Sequence, residues 1–290
     1  MPLDNANFAP EKNYPNIVPE NNLRLPDAIT IKHGPARLLA RFVLEGDKEA
    51  RRRGIELRMR HDFDELVHFN KQQSALGAWY PLVDMFNPDC TELTPENAFW
   101  MSGENESGEV VLTWGARIFN FIGTNLKEQA RAMWYGRDLG QPCTVTAEAA
   151  SLITGICVCG GASWVRPDYR RQHLSRLVPR IGKAYACARW PIDWSFCYVT
   201  RAHVAGGLAA SYGQRNLSCS VQYSDSPLGE LVLAYTPVEE VYDDLASFLL
   251  SEISESESAD AQAISVATTL EHNVIRTSSE GVFQGSRSLS

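Results

Sequence analysis

Arg170, Arg171, Gln172, His173, Leu174 and Ser175 stand where an apolar run gives way to a helical period, a place that suits either a bound anion or the commoner solvated basic turn. Upstream, Ile156, Cys157, Val158 and Cys159 lead through Gly160 and Gly161 to Trp164 and Val165. This run is too short and too continuously apolar for a surface helix, so a buried strand over Gly155–Val165 is expected, stopping before Pro167. Downstream, Leu174, Leu177, Val178, Ile181 and Tyr185 recur at three- and four-residue spacing and predict a helix. A helix that opens behind a strand presents unpaired N–H groups and the positive end of its dipole, and two arginines at its mouth suit a phosphate or pyrophosphate. Pro179 conflicts with the helical period. Either the helix starts late with Pro179 in its first turn, or the segment bends there.

Other side chains with chemical potential are less well grouped. Cys157 and Cys159 project from one strand face, but no second Cys/His pair lies at ligand spacing, so structural thiols and no metal are expected. His61 and His68 lie about two helical turns apart without a third ligand, and read as polar surface histidines. There is no Walker lysine loop, no Gly-x-Gly-x-x-Gly behind a strand and no Gly-x-Ser-x-Gly elbow, which leaves phosphoryl transfer, nicotinamide chemistry and hydrolase activity without a motif.

Periodicity and turn residues set the elements around this stretch. Residues 1–27, rich in Asn and Pro, read as an extended or disordered arm, and 28–250 as the folded domain. A short strand is expected at Ala28–Lys32 and a helix over Pro35–Glu56, with Arg51, Arg52 and Arg53 on a solvated face. Asp62 and Glu65 form a capping-box pattern at the head of a helix reaching Ala78. Asn97–Met101 and Val110–Phe121 predict a hairpin about the polar turn between them. Leu126, Ala130, Met133 and Trp134 predict an extra helix within an insert at 125–153.

Trp194–Thr200 alternates strictly and reads as an interior strand parallel to Gly155–Val165, joined to it by the intervening helix. Ala205–Gly213 reads as one small-residue helix ending at glycine. Leu217–Tyr223 and Leu231–Thr236 make a closing strand pair, Glu239–Leu250 a last helix, and 251–290 an acidic, Ser-rich disordered tail.

With 290 residues, 44% of them hydrophobic, the chain can bury a sizeable core. A formal net charge of −8 argues against broad binding to nucleic acid or to an anionic membrane, leaving only a local basic patch open. Seven scattered cysteines do not make a disulfide framework. With neither a signal-like start nor a membrane-length apolar run, a cytoplasmic protein is expected.

The segment Val165, Pro167, Tyr169, Arg170 and the following Arg171, Gln172, His173, Leu174, Ser175 resemble the cofactor strand and pyrophosphate loop of the Gcn5-related N-acetyltransferase (GNAT) superfamily. His173 stands where that family has glycine, and Ser175 where it has glycine or alanine. Ala205, Leu208 and Gly213 match a second family segment, in which Ala209 takes the place of a tyrosine and Gln214 that of a phenylalanine. The resemblance covers about Asp62–Pro237.

It implies an α/β (α+β) fold with a mixed, mostly antiparallel central sheet, two splayed parallel strands and helices on both faces. It further implies acetyl-CoA as co-substrate, with Ser163, Trp164 and Val165 offering backbone groups to pantetheine and Arg170–Ser175 holding the pyrophosphate. The reaction implied is acetyl transfer to an amine of a small molecule or peptide by direct attack. Tyr212, one turn beyond Ala209, would protonate the leaving thiolate, and Thr200 at the strand end would order water or the acceptor. Glu109, Asp84 and Asp193 are unranked candidates for the base. A GNAT-like binding or regulatory module without catalysis is the alternative that Ala209 and His173 favour, and a homodimer stays open.

Overall fold

The computed structural model describes residues 22–136, 141–223, 226 and 228–251. The chain divides into two units, Met1–Tyr242 and Asp243–Ser290; of the second, residues 243–251 are helical. The expected tail beyond 251 and most of the expected arm lie outside the described residues.

Nine strands are described: β1 (Leu23–Arg24), β2 (Glu56–Arg60), β3 (Ala98–Glu104), β4 (Val110–Phe121), β5 (Cys143–Val145), β6 (Gly155–Val165), β7 (Trp194–Thr200), β8 (Asn216–Tyr223) and β9 (Glu230–Pro237). They form one sheet in the order β1-β2-β3-β4-β6-β7-β9-β8-β5, in which β6 and β7 are the parallel pair and every other pairing is antiparallel. The expected mixed, mostly antiparallel sheet is therefore present. Leu23–Asp27, assigned above to the arm, instead supplies β1 and most of a one-turn helix, α1 (Leu25–Ala28), because Leu25 is fully buried and anchors the segment. No strand forms at 28–32, where the N–H groups of Lys32 and His33 bond to the Ala188 carbonyl at the end of a helix.

Helices cover both faces. On one lie α2 (Ala36–Arg52) and α5 (Leu174–Arg189). Residues of α5 from Leu177 to Ala188 are buried all round, the mark of a helix enclosed by protein rather than lying on its surface. Glycines set this packing. A Cβ on Gly182 would meet Trp114 of β4 at 2.0 Å, and one on Gly46 would meet Ile181 at 2.7 Å, so the helix sits closer to the sheet and to α2 than alanine allows.

On the other face α3 (Phe63–Ala75) and α4 (Leu126–Tyr135) close a core that contains Phe63, Leu66, Phe86, Trp100, Met133 and Trp134. Asp62 caps α3, accepting from the N–H groups of Asp64 at 3.0 Å and Glu65 at 3.3 Å. The reciprocal half of the capping box is absent because the Glu65 carboxylate accepts from buried Arg60 instead, at 2.6 Å. Asn125 caps α4 through the Glu128 N–H at 3.0 Å, and β5 of the same insert joins the far edge of the sheet beside β8.

Of the two alternatives for Pro179 the late start is excluded: α5 begins at Leu174, where the apolar period does, so Pro179 lies in its interior and leaves the Ser175 carbonyl without its usual helical donor. The single helix expected over 205–213 is two short ones, α6 (Arg201–Ala205) and α7 (Leu208–Ser211), parted by Gly206 and by Gly207 at φ +74°. Among the described residues no helix is long and apolar enough to cross a membrane.

Candidate active site

The site lies where β6 and β7 part. Their parallel register runs Cys157↔Trp194 to Gly160↔Cys197 and then ends, while β6 stays paired to β4 as far as Val165 and β7 to β9 as far as Thr200. Each strand follows its antiparallel neighbour, and a gap opens between Gly161–Val165 on one side and Tyr198–Thr200 on the other. A β-bulge sits at the opening: Gly115 faces Gly161 but Thr113 faces Trp164, so β6 carries one extra residue there. Ala162 takes φ +47°, and its carbonyl is held by the Thr113 hydroxyl at 2.8 Å. Such a bulge re-aims the backbone groups that come after it.

Gly160 and Gly161 let aromatic rings lie against β6 from both sides. A Cβ on Gly160 would meet Trp114 at 2.8 Å and one on Gly161 would meet Phe86 at 2.5 Å.

Two cavities meet at this gap. The larger, about 810 Å³, runs along the outer part of β6 to the head of α5. Ser163, Trp164, Val165, Arg170, Arg171, His173, Leu174 and Ser175 all line it; of the residues expected to hold cofactor only Gln172 does not. The Gln172 carbonyl is bound by Arg53 Nε at 2.9 Å, and Arg53 is itself paired with Glu49, so α2 braces the loop. Arg53 is therefore no part of a solvated face, whereas Arg51 and Arg52 pair with Asp47 and Glu49 within the helix.

Arg171 and His173 adopt left-handed φ of +68° and +56°, the conformation that glycine would supply at less cost. His173 precedes α5 without a side-chain cap, so the first-turn N–H groups carry no side-chain acceptor there. Arg170 Nε donates to the Val165 carbonyl at 3.1 Å, tying the loop back to its strand. The Trp164 ring stacks on Trp79 at 6.0 Å and its Nε1 donates to the Ala78 carbonyl at 3.1 Å, so the side chain is fixed against residues of the cavity wall.

The smaller chamber, about 170 Å³, passes between the splayed strands and is walled by Trp79, Phe86, Trp114, Trp134, Tyr198 and Leu231. Ser163, Pro179, His203 and Tyr212 line both cavities. Tyr212 is fixed from behind: the Lys183 ammonium donates to its carbonyl at 2.7 Å and to that of Gly213 at 3.0 Å, and Arg180 Nη1 donates to the Ser211 carbonyl at 2.6 Å. Two cations from α5 thus satisfy the C-terminal carbonyls of α7. Burial pushes the Tyr212 phenol up to about 12, with Cys197 adding to the rise and the Ser163 hydroxyl opposing it.

Thr200 lies at the chamber wall with its hydroxyl engaged: Oγ1 caps α6 by accepting the His203 N–H at 3.2 Å. Of the three carboxylates considered as bases, none lines either cavity. Glu109 is an exposed partner of Asn105 and Arg166, which hold its carboxyl below the usual range. Asp193 accepts the Ile156 N–H at 2.7 Å at the opposite end of β7 from the gap. Asp84 falls in a short turn between the lining residues Val83 and Met85. His203 was missed by the sequence reading. Its signal was its place, three residues past the end of the most regular strand, where α/β sheets bind their ligands.

A mixed sheet with one splayed parallel pair, bulged at the splay and followed by a helix that opens behind an arginine loop, is the fold that the resemblance to the GNAT superfamily implied. No family profile and no curated protein matches the chain. Solved structures similar to it include Arabidopsis thaliana NAA60 in complex with acetyl-CoA, 12% identical over 64% of this chain and 99% of that one, with a TM-score of 0.41. FeeM, an N-acyl amino acid synthase from uncultured soil microbes, is 15% identical over 64% and 90% with a TM-score of 0.37. An uncharacterized protein from Bacillus halodurans is 14% identical over 68% and 92% with a TM-score of 0.40.

Proposed function

We propose that this protein is an acyl-CoA-dependent N-acyltransferase, with acetyl-CoA as its smallest donor and an amine as acceptor. The observation that carries the reading is the meeting of the two cavities at Ser163, His203 and Tyr212. The larger cavity fits a coenzyme A ester: its arginine-lined loop and the uncapped head of α5 suit the pyrophosphate, and the bulged edge of β6 suits the pantetheine amides.

In the reaction the amine nitrogen bonds to the thioester carbonyl carbon, and the carbon–sulfur bond breaks. A β6 backbone N–H re-aimed by the bulge would stabilise the charge on the carbonyl oxygen. Tyr212, kept protonated by its burial, would give its proton to the departing sulfur. His203 at the junction would take the proton the amine loses, directly or through water. Thr200 would act through α6, holding His203 in place rather than touching the reactants.

The test is thermal denaturation with and without coenzyme A, followed by an amine panel assayed for thiol release from acetyl-CoA and longer esters. A rise in melting temperature that Arg170→Glu with Arg171→Glu abolishes is the expected result. Absence of any shift overturns the reading. A shift without turnover favours a binding module, the alternative prompted by Ala209, which is 2% exposed and packs in a small core cluster rather than offering a reactive group.

A further inference from the structure

We infer that the acyl group this protein transfers is larger than acetyl, an apolar group of about six carbons or one aromatic ring, seated in the chamber between β6 and β7. This rests on the larger cavity holding the coenzyme A part of the donor. The chamber is about 170 Å³, and an apolar cavity of about 150 Å³ is known to accept a benzene molecule. An acetyl methyl would leave most of that space unfilled, and a void lined by aromatic rings forfeits contacts on every side.

The walls choose between occupants. No Asp or Glu lines the chamber among the described residues, so an ammonium group entering it would lose hydration without gaining a counter-charge. The cation there, Lys183, is committed to the carbonyls of Tyr212 and Gly213 and would repel a second one. The polar atom of the Tyr198 wall is also engaged, because its hydroxyl bonds to that of Tyr223 at 3.3 Å. Tyr223 in turn stacks on Trp134, itself a wall of the chamber, with centroids 3.9 Å apart. Connectivity decides which half of the reaction enters. The two cavities join at Ser163 and Tyr212, so a chain attached to a thioester held there continues into the chamber, while the amine stays at the junction.

The experiment is isothermal titration of the full chain with coenzyme A, acetyl-CoA, hexanoyl-CoA and benzoyl-CoA, repeated on Val83→Phe and Leu82→Phe, two partly buried lining positions where added bulk narrows the chamber. Each buried methylene is worth about 4-fold in affinity, so hexanoyl-CoA should bind at least about 10-fold more tightly than acetyl-CoA, allowing for the chain's lost freedom. Whichever variant folds should lose that preference and keep its affinity for coenzyme A. Equal binding of acetyl-CoA and hexanoyl-CoA overturns this inference and leaves the donor site standing, as does a preference that survives in both narrowed variants. Binding of none of the four overturns the donor site itself. Saturable binding of benzylamine that excludes the hexanoyl chain in the presence of coenzyme A assigns the chamber to the acceptor and also overturns the inference.

Discussion

The ammonium of Lys183, on α5, donates to the backbone carbonyl of Tyr212 at 2.7 Å across 29 residues of sequence, and to that of Gly213 at 3.0 Å. Lys183 is 2% exposed, and both bonds form inside the protein. Lys183→Met would keep the length of the stem while leaving two carbonyls without their charged donor. Hydrogen bonds to charged groups contribute about 1.5–3 kcal/mol net. Urea unfolding should therefore show a loss of about 2 kcal/mol, and turnover should fall because Tyr212 is no longer held at the junction.

Tyr212→Phe should separate chemistry from binding. The phenol is pushed up to about 12 mainly by burial, so at neutral pH it is a neutral acid with its proton in place. Its removal should lower kcat by about 100-fold, the lower end of what a positioned acid supplies, with coenzyme A affinity unchanged by calorimetry. The shift also predicts a pH effect. Because the folded value lies above the ordinary tyrosine value near 10, this contribution to stability is fully present below pH 10 and is lost as pH rises through about 12. Denaturant midpoints should fall less steeply over that window in Tyr212→Phe than in the parent.

His173 occupies left-handed backbone at φ +56°, next to the head of α5. Glycine adopts that geometry without steric cost, whereas a β-branched residue there is a strained outlier. His173→Val should be less stable than His173→Gly by about 1–3 kcal/mol, and the valine variant should also lose the coenzyme A-induced shift. Differential scanning fluorimetry with and without coenzyme A reads both effects.

The cysteines should fall into reactivity classes. Burial raises the thiols of Cys157 and Cys187 to about 12 and that of Cys197 to about 11, and raises Cys159 strongly as well. Cys219 is exposed. A chromogenic disulfide reagent at pH 8 should modify Cys219 first, Cys90 and Cys143 more slowly, and the four buried thiols only in denaturant. Modification of Cys157 or Cys159 in the folded protein would contradict their structural role.

Much of the frame was legible. The alternation of Trp194–Thr200, the apolar run from Ile156 and the Asp62 cap signal conformations set by neighbours in sequence, and each appears as expected. Where local signals misled, a distant partner was responsible. Leu25 turns the supposed arm into structure because the core has a place for it, and Arg53 leaves the solvated face because the Gln172 carbonyl needs a donor. The small residues of 205–213 carried helical periodicity, but Gly206 and Gly207 broke it, and two cations from α5 cap the carbonyl end of α7.

The strand, the arginine turn and the helix of 155–189 needed no more than local sequence, because hydrophobic period, proline and glycine act over a few residues. Long-range contacts were required for Ser163, His203 and Tyr212 to converge, for Gln172 to turn aside and for Glu109 and Asp193 to stand away from the gap. The reason is that the gap itself is a long-range object. It exists because β4 holds β6 and β9 holds β7 after the two have stopped pairing with each other, and that competition among strands far apart in the chain leaves no periodic trace within any one of them.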